Sequence, residues 1–137
     1  MNVEAYAWGR LYHKSLWTSG IRYPVGKLWE DLFTTYKLLY STSKIAVIDT
    51  PLYYYFINDE GIVHSPWTLQ KLDELEAYES QISFFLEQND VEMAARLARA
   101  YVNCLHAQYL HALQSDCSES KISHCCSDQK KDAKSTP

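Results

Sequence analysis

The chain has 137 residues, of which 47% are apolar and 14% aromatic, and this is enough for one domain with a hydrophobic core. Its formal net charge of −4 argues against nucleic acid as the main partner. The sequence also lacks the run of about 18 apolar residues from which a membrane span would be predicted. Residues 1–5 have neither the basic nor the apolar region of a secretory signal, and the four cysteines match no disulfide framework or zinc spacing. A cytoplasmic protein is therefore expected.

The first 64 residues are predicted to combine short strands with one helix. Tyr23-Pro24 and Gly26 are typical of a turn, and Leu32, Tyr36 and Leu39 then recur at helical spacing. The β-branched and aromatic runs that follow favour strands. The predicted elements are a strand or buried turn over residues 6–12, a helix over 31–40, and strands over 44–48 and 52–57.

The next fifty residues are predicted to be helical. Ser65-Pro66 is typical of a helix start, with Ser as the N-cap and Pro at the first helical position. Asn89-Asp90 should end this helix and cap the next, in which Leu105 and Tyr109 belong to an apolar face. The two segments, about 66–88 and 91–113, predict an antiparallel helical hairpin. Residues 115–137 contain little apolar area and are expected to be disordered.

Adjacent carboxylates, Glu30 and Asp31, stand where the Pro-Val-Gly turn gives way to the predicted helix. A carboxylate held at such a junction can act as a general base if it lies about one hydrogen bond from a hydroxyl group. Acids in the first turn of a helix also favour its dipole and have no catalytic role in most proteins. Basic residues precede the pair and could attract a phosphate-bearing ligand, namely Arg10, His13, Lys14, Arg22 and Lys27.

Aromatic residues cluster in two further motifs, Trp8-Gly9-Arg10-Leu11-Tyr12 and Pro51-Leu52-Tyr53-Tyr54-Tyr55. Flat Trp and Tyr rings can stack on the C–H faces of sugars, and a cation beside them can meet a diphosphate. Alternation along the predicted strand should send Tyr53 and Tyr55 to one face and Tyr54 to the other. The simpler interpretation of Trp8 is a core residue under a surface Arg.

Taken in order, these motifs resemble the C-terminal part of family 2 glycosyltransferases, the inverting GT-A enzymes of bacterial polysaccharide synthesis. The resemblance covers about residues 5–64 and implies that Asp31 is the general base, while Glu30 orients it or meets the acceptor. It further implies that substrate is bound by Trp8, Arg10, Lys27 and Tyr55, and that His64 is a candidate metal ligand. The chain departs from the family pattern at Gly9, where an Asn is usual, and at Phe56, where an Arg is usual.

The fold implied by this resemblance is an α+β fragment. Short strands and one helix from the C-terminal part of a GT-A domain would occupy residues 1–64, a helical hairpin extension residues 65–114, and a disordered tail residues 115–137. The family's first half carries an Asp-x-Asp that holds Mg²⁺ or Mn²⁺ on the donor diphosphate, and no Asp-x-Asp occurs in this sequence. No cofactor is therefore expected for this chain alone, which should be inactive without the donor-binding half.

The resemblance implies that the intact enzyme transfers a sugar from a nucleotide-sugar to a polysaccharide or glycolipid acceptor. The expected setting is the cytoplasm, with peripheral association at the inner face of the membrane. The sequence is also compatible with a different class of function. The chain could be a non-catalytic α+β interaction module that binds a protein partner through its helical hairpin.

Overall fold

The computed structural model describes residues 6–58, 61–62 and 65–115, and these residues form three α-helices joined by turns and extended segments. Helix α1 is Glu30–Tyr40, α2 is Asp73–Glu87 and α3 is Val91–Gln114. Short 3₁₀ turns lie at Lys14–Trp17 and Leu69–Leu72. None of the described helices combines the length and the apolar character that crossing a membrane requires.

Helices α2 and α3 form the predicted antiparallel hairpin. The Asp90 carboxylate accepts a hydrogen bond from the Met93 amide at 3.0 Å and so caps α3, as the sequence predicted. Two bonds between the helices fix their relative direction. Tyr101 Oη donates to Glu79 Oε1, and further along α3 Gln108 Nε2 donates to Glu74 Oε2, each at 2.9 Å. Later positions on α3 therefore meet earlier positions on α2.

The predicted start of α2 at Pro66 is wrong, because the α-helix begins at Asp73. Trp67 Nε1 donates to Gln108 Oε1 on α3 at 2.8 Å, and Thr68 has extended backbone angles. The segment before α2 is therefore anchored to α3 by the Trp67 side chain. A local N-cap signal was overridden by a tertiary hydrogen bond.

Helix α1 confirms the helix predicted over residues 31–40, and it packs against α2. Gln81 Nε2 donates to the Leu32 carbonyl at 2.9 Å, and the Tyr36 and Ser80 hydroxyls are 3.1 Å apart. Leu38 on α1 and Ala77 on α2 are fully buried. The core among the described residues therefore lies between α1 and the hairpin.

The prediction of an α+β fold is wrong, since the described residues contain helices and turns but no strand. Residues 6–12, 44–48 and 52–57 lack regular secondary structure. The large apolar side chains between residues 45 and 57 are each more than half exposed. A strand needs a neighbouring strand to accept and donate its backbone hydrogen bonds, and the described parts of the chain supply none. Of the predicted tail, residues 116–137 lie outside the described residues.

Replacement of Leu38 by Ala should lower the free energy of unfolding by about 2–4 kcal/mol, because a fully buried Leu side chain is lost from the α1–hairpin core. The measurement is urea-induced unfolding followed by circular dichroism. Leu52→Ala is the matched control. Its side chain is 76% exposed, so it should change stability by less than about 0.5 kcal/mol. Equal losses in the two variants would contradict the exposed position of residues 45–57.

Candidate functional site

The acid pair lies at the start of α1, as the sequence predicted. Glu30 is exposed and Asp31 is half-buried. Asp31 Oδ1 accepts a hydrogen bond from the amide of Leu32 at 2.8 Å, so the carboxylate is tied to the first turn of the helix. The residue before the pair, Trp29, has a left-handed backbone (φ 59°) and caps the helix without a side-chain hydrogen bond. Such a conformation in a bulky residue is strained and is common near functional sites.

Tyr23 is a functional candidate that the sequence analysis treated only as part of a turn. Burial raises the pKa of its phenol, and the nearby Tyr12, Asp31 and Glu30 raise it further by electrostatic interaction. The Thr35 hydroxyl lowers the same pKa, although it is not close enough or not aligned well enough to form a hydrogen bond with Tyr23. A phenol is protonated at neutral pH, and the raised pKa of Tyr23 extends this state to higher pH, so Tyr23 can act as a hydrogen-bond donor. Its position directly before Pro24 was the only sequence signal for it.

Several buried polar groups in this part of the chain have no hydrogen-bond partner. Among the described residues, the Tyr12 hydroxyl, the Trp29 indole N–H and the Thr35 hydroxyl are buried without a hydrogen bond. A buried polar group left unpaired costs about 1–3 kcal/mol and calls for an explanation. All three belong to the stretch between residues 12 and 35. Aromatic rings connect its first part, since Trp17 contacts both Tyr12 and Tyr23 with ring centroids 5.7 Å and 5.6 Å apart.

Lys27, predicted from the resemblance to bind substrate, pairs with the hairpin. Its Nζ lies 2.6 Å from Glu76 Oε2 and 3.0 Å from Asp73 Oδ1. The pKa of Lys27 is raised above its usual value by these two hydrogen bonds, of which that to Glu76 has the larger effect. The ammonium is thus engaged by the protein itself. Arg22 is similarly engaged, because its Nη1 donates to the carbonyls of Trp17 and Ile21.

Trp8 and Tyr55, also predicted to bind substrate, lie together in an aromatic stack. The Trp8 ring is stacked with those of Tyr6, Tyr53 and Tyr55, with centroids 4.6, 5.1 and 4.8 Å away. Tyr54 is 87% exposed, which agrees with the predicted alternation of the three tyrosines. Arg10 adjoins this aromatic stack, because its Nε donates to the Tyr6 carbonyl at 2.9 Å. Residues from two distant motifs therefore form one surface.

The candidate metal ligands of this chain are His64 and the cysteine in α3. His64 lies outside the described residues. Within the described ranges, no group of three His, Cys, Asp or Glu side chains is arranged so that it could hold a metal ion. Cys104 is half-buried in α3, and burial, together with the nearby Glu74 carboxylate, raises the pKa of its thiol to about 12. A thiol with so high a pKa is a poor nucleophile and metal ligand at neutral pH.

Comparison of the chain with protein-family models, with curated proteins and with solved structures gave no match.

Lys27→Met should lower stability by an amount that depends on pH. Since the folded state raises the pKa of Lys27 above 10.5, the ion pairs stabilise the fold below that pH and cease to do so as the pH rises through the raised value. The difference in free energy of unfolding between wild type and variant should be constant from pH 7 to about 10 and decrease at higher pH. Urea unfolding at pH 7, 9 and 11 measures it. Lys44→Met, which removes an exposed lysine, should show no such change, and a difference that persists unchanged at pH 11 would contradict the assignment.

Proposed function

We propose that this chain is the acceptor-side part of an inverting glycosyltransferase of family 2, with Asp31 as the general base. The intact enzyme transfers a sugar from a nucleotide-sugar to a polysaccharide or glycolipid acceptor. The observation that carries the proposal is the stacking of Trp8 on Tyr53 and Tyr55. The resemblance assigns both motifs to one substrate cleft, and nothing in their local sequence requires them to meet.

The aromatic stack suits a carbohydrate. Its four rings are between 40% and 54% exposed, so each keeps a substantial area for contact with the apolar C–H face of a sugar. Arg10 beside them uses one N–H group in its bond to Tyr6, and a guanidinium has five such donors. Stacking on the rings and hydrogen bonds from Arg10 together would hold an acceptor glycan against this surface.

Asp31 supplies the base that inversion requires. As the acceptor hydroxyl oxygen attacks the anomeric carbon, its proton passes to the Asp31 carboxylate, and the bond from that carbon to the diphosphate breaks with its electron pair leaving on the nucleotide. The Tyr23 phenol, which is protonated at neutral pH, can donate a hydrogen bond to the acceptor and orient it. A Mg²⁺ or Mn²⁺ ion bound with the donor in the intact enzyme would supply charge neutralisation for the departing diphosphate. The described residues present no ligand set for that ion.

The setting that fits this activity is bacterial capsule or exopolysaccharide assembly at the cytoplasmic face of the membrane. The donor is then a cytoplasmic nucleotide-sugar and the acceptor a growing glycan or a glycolipid. Peripheral association would bring the aromatic stack to acceptors held at the membrane surface.

A second candidate, a protein-interaction module, is favoured by one observation on α3. Val102, Leu105, Tyr109 and Leu113 recur every three or four residues and are each 45% or more exposed. They form a second apolar face on a helix whose other face packs on α2. Contiguous exposed apolar surface of this kind is typical of a binding surface. Loss of a partner on Leu105→Glu, with glycan binding unchanged, would support this function in place of the first.

Asp31→Asn should greatly slow glycosyl transfer without weakening acceptor binding, because the amide cannot take the acceptor proton but keeps the shape of the side chain. A fall in kcat of about 10²–10⁴ is expected for loss of a general base. The measurement uses the intact protein from its native source, its mass determined first, with a panel of nucleotide-sugars and lipid and polysaccharide extracts as acceptors. Glu92→Gln, which changes an exposed acid in the first turn of α3, is the matched control and should retain most of kcat.

Trp8→Ala in the same assay should raise the acceptor KM with a smaller effect on kcat, since it removes a stacking surface and leaves the base in place. Release of nucleoside diphosphate by none of the donors would contradict the proposed function. Full activity of Asp31→Asn would remove Asp31 from the role of base.

A further inference from the structure

The backbone turn just before the acid pair is bound to the helical hairpin through one carboxylate. Asp73 Oδ1 lies 3.0 Å from Lys27 Nζ, and its Oδ2 accepts a hydrogen bond from the Leu28 amide at 3.0 Å. The Asp73 side chain is only 13% exposed, whereas that of Glu76, which meets Lys27 alone, is 55% exposed. Asp73 is therefore the less exposed of the two carboxylates, and of the two it is the one that contacts the backbone of the turn.

One residue of this turn, Trp29, has a backbone conformation that its side chain does not favour. Gly26 and Trp29 both have left-handed backbone angles, with φ of 77° and 59°. Gly adopts such angles freely, but for a residue with a Cβ they cost roughly 1–2 kcal/mol. Trp29 also caps α1 without a side-chain hydrogen bond. Restraint from outside the turn is needed to hold it, and the contacts of Asp73 provide that restraint.

The other end of the first turn of α1 is held by the same helix of the hairpin. Gln81, two turns after Asp73 on α2, donates to the Leu32 carbonyl at 2.9 Å. The Leu32 amide in turn donates to Asp31 Oδ1. Asp31 thus stands between two backbone positions, 28 and 32, that α2 fixes.

We propose that Asp73 is a positioning residue for Asp31, so that the helical hairpin sets where the candidate base stands. This inference rests on the proposed function. It gives the hairpin a role in that chemistry, although the family resemblance ends near residue 64. Without the Asp73 contacts, the strained turn relaxes, and the Asp31 carboxylate loses its fixed distance from the acceptor hydroxyl. Displacements of about 1 Å in such a geometry can cost 10²-fold in rate.

The geometry provides a matched pair of variants. Asp73→Ala removes both the ion pair and the bond to the Leu28 amide, whereas Glu76→Gln weakens only the ion pair with Lys27. Asp73→Asn is the conservative variant, since its carbonyl oxygen can still accept from Leu28. Circular dichroism identifies any variant that fails to fold, in which case the comparison of Asp73→Asn with Glu76→Gln decides the question.

The first readout is amide hydrogen exchange of residues 28–33, compared with α3 as an internal standard. Asp73→Ala should speed exchange in residues 28–33 by about tenfold to a hundredfold, as expected for loss of a hydrogen bond to a charged group. Glu76→Gln should stay within about twofold of wild type, because an exposed ion pair contributes little, and Asp73→Asn should lie between them. Equal exchange in Asp73→Ala and Glu76→Gln would overturn the positioning role.

The second readout is transfer by the intact enzyme. Asp73→Ala should lower kcat and leave the acceptor KM unchanged, with partial rescue in Asp73→Asn, because the base is displaced and the aromatic stack is not touched. Faster exchange with an unchanged kcat would overturn the proposal and leave the proposed function standing. If wild type transfers no sugar, the proposed function fails and the catalytic role of Asp73 fails with it, while the exchange data still report whether Asp73 holds the turn.

Discussion

The structure depends on one stripe of α2, formed by Asp73, Ala77, Gln81 and Phe85 at intervals of four residues. Side chains four apart lie on one face of a helix, and this face meets α1 along its length. Asp73 holds the turn before α1, Gln81 bonds to the carbonyl of Leu32, and Phe85 contacts the ring of Tyr36. Ala77 is fully buried between them, and its small side chain allows the two helices to approach closely.

Two of the four residues of this stripe, Asp73 and Gln81, are polar. Only 13% of the Asp73 side chain and 8% of Gln81 are exposed, yet each meets a backbone group of the segment that carries Glu30 and Asp31. Hydrogen bonds of this kind contribute modestly to stability, but they define one arrangement, because a buried polar group that loses its partner is costly. The acid pair is thereby held more precisely than apolar packing alone would hold it.

The aromatic stack is organised differently from the α1–hairpin core. The rings of Tyr6, Tyr53 and Tyr55 each stack on that of Trp8, on chain segments without regular structure. The surrounding apolar residues 45–57 are largely exposed. Parallel stacking at 4.6–5.1 Å brings two distant segments together without backbone pairing, and it leaves ring area free for a ligand. The two parts of the candidate site, acids and rings, therefore differ in how firmly the fold holds them.

Local sequence determined those features whose physical cause lies within a few residues. The spacing of apolar residues defined α1 and the hairpin, Asp90 capped α3, and alternation placed Tyr53 and Tyr55 on one face. Local sequence also placed the acids in the first turn of α1. It did not determine which helical face is buried: Leu105 and Tyr109 were predicted to belong to the apolar face of α3, yet they are exposed, while Gln108 beside them is buried. Periodicity identifies a helix, whereas the choice of face depends on which neighbour it packs against.

Only the tertiary structure decided the remaining features, because they rest on contacts between residues far apart in the chain. The β-branched run at residues 44–48 has the composition of a strand, but pairing requires a second strand, and the described residues contain none. Ser65-Pro66 has the composition of a helix start, but Trp67 is bound to Gln108 on α3. From its own motif, Lys27 was as suited to bind a ligand as to pair with carboxylates of this chain. Its partners, Asp73 and Glu76, lie more than forty residues away, and nothing in the motif indicated them.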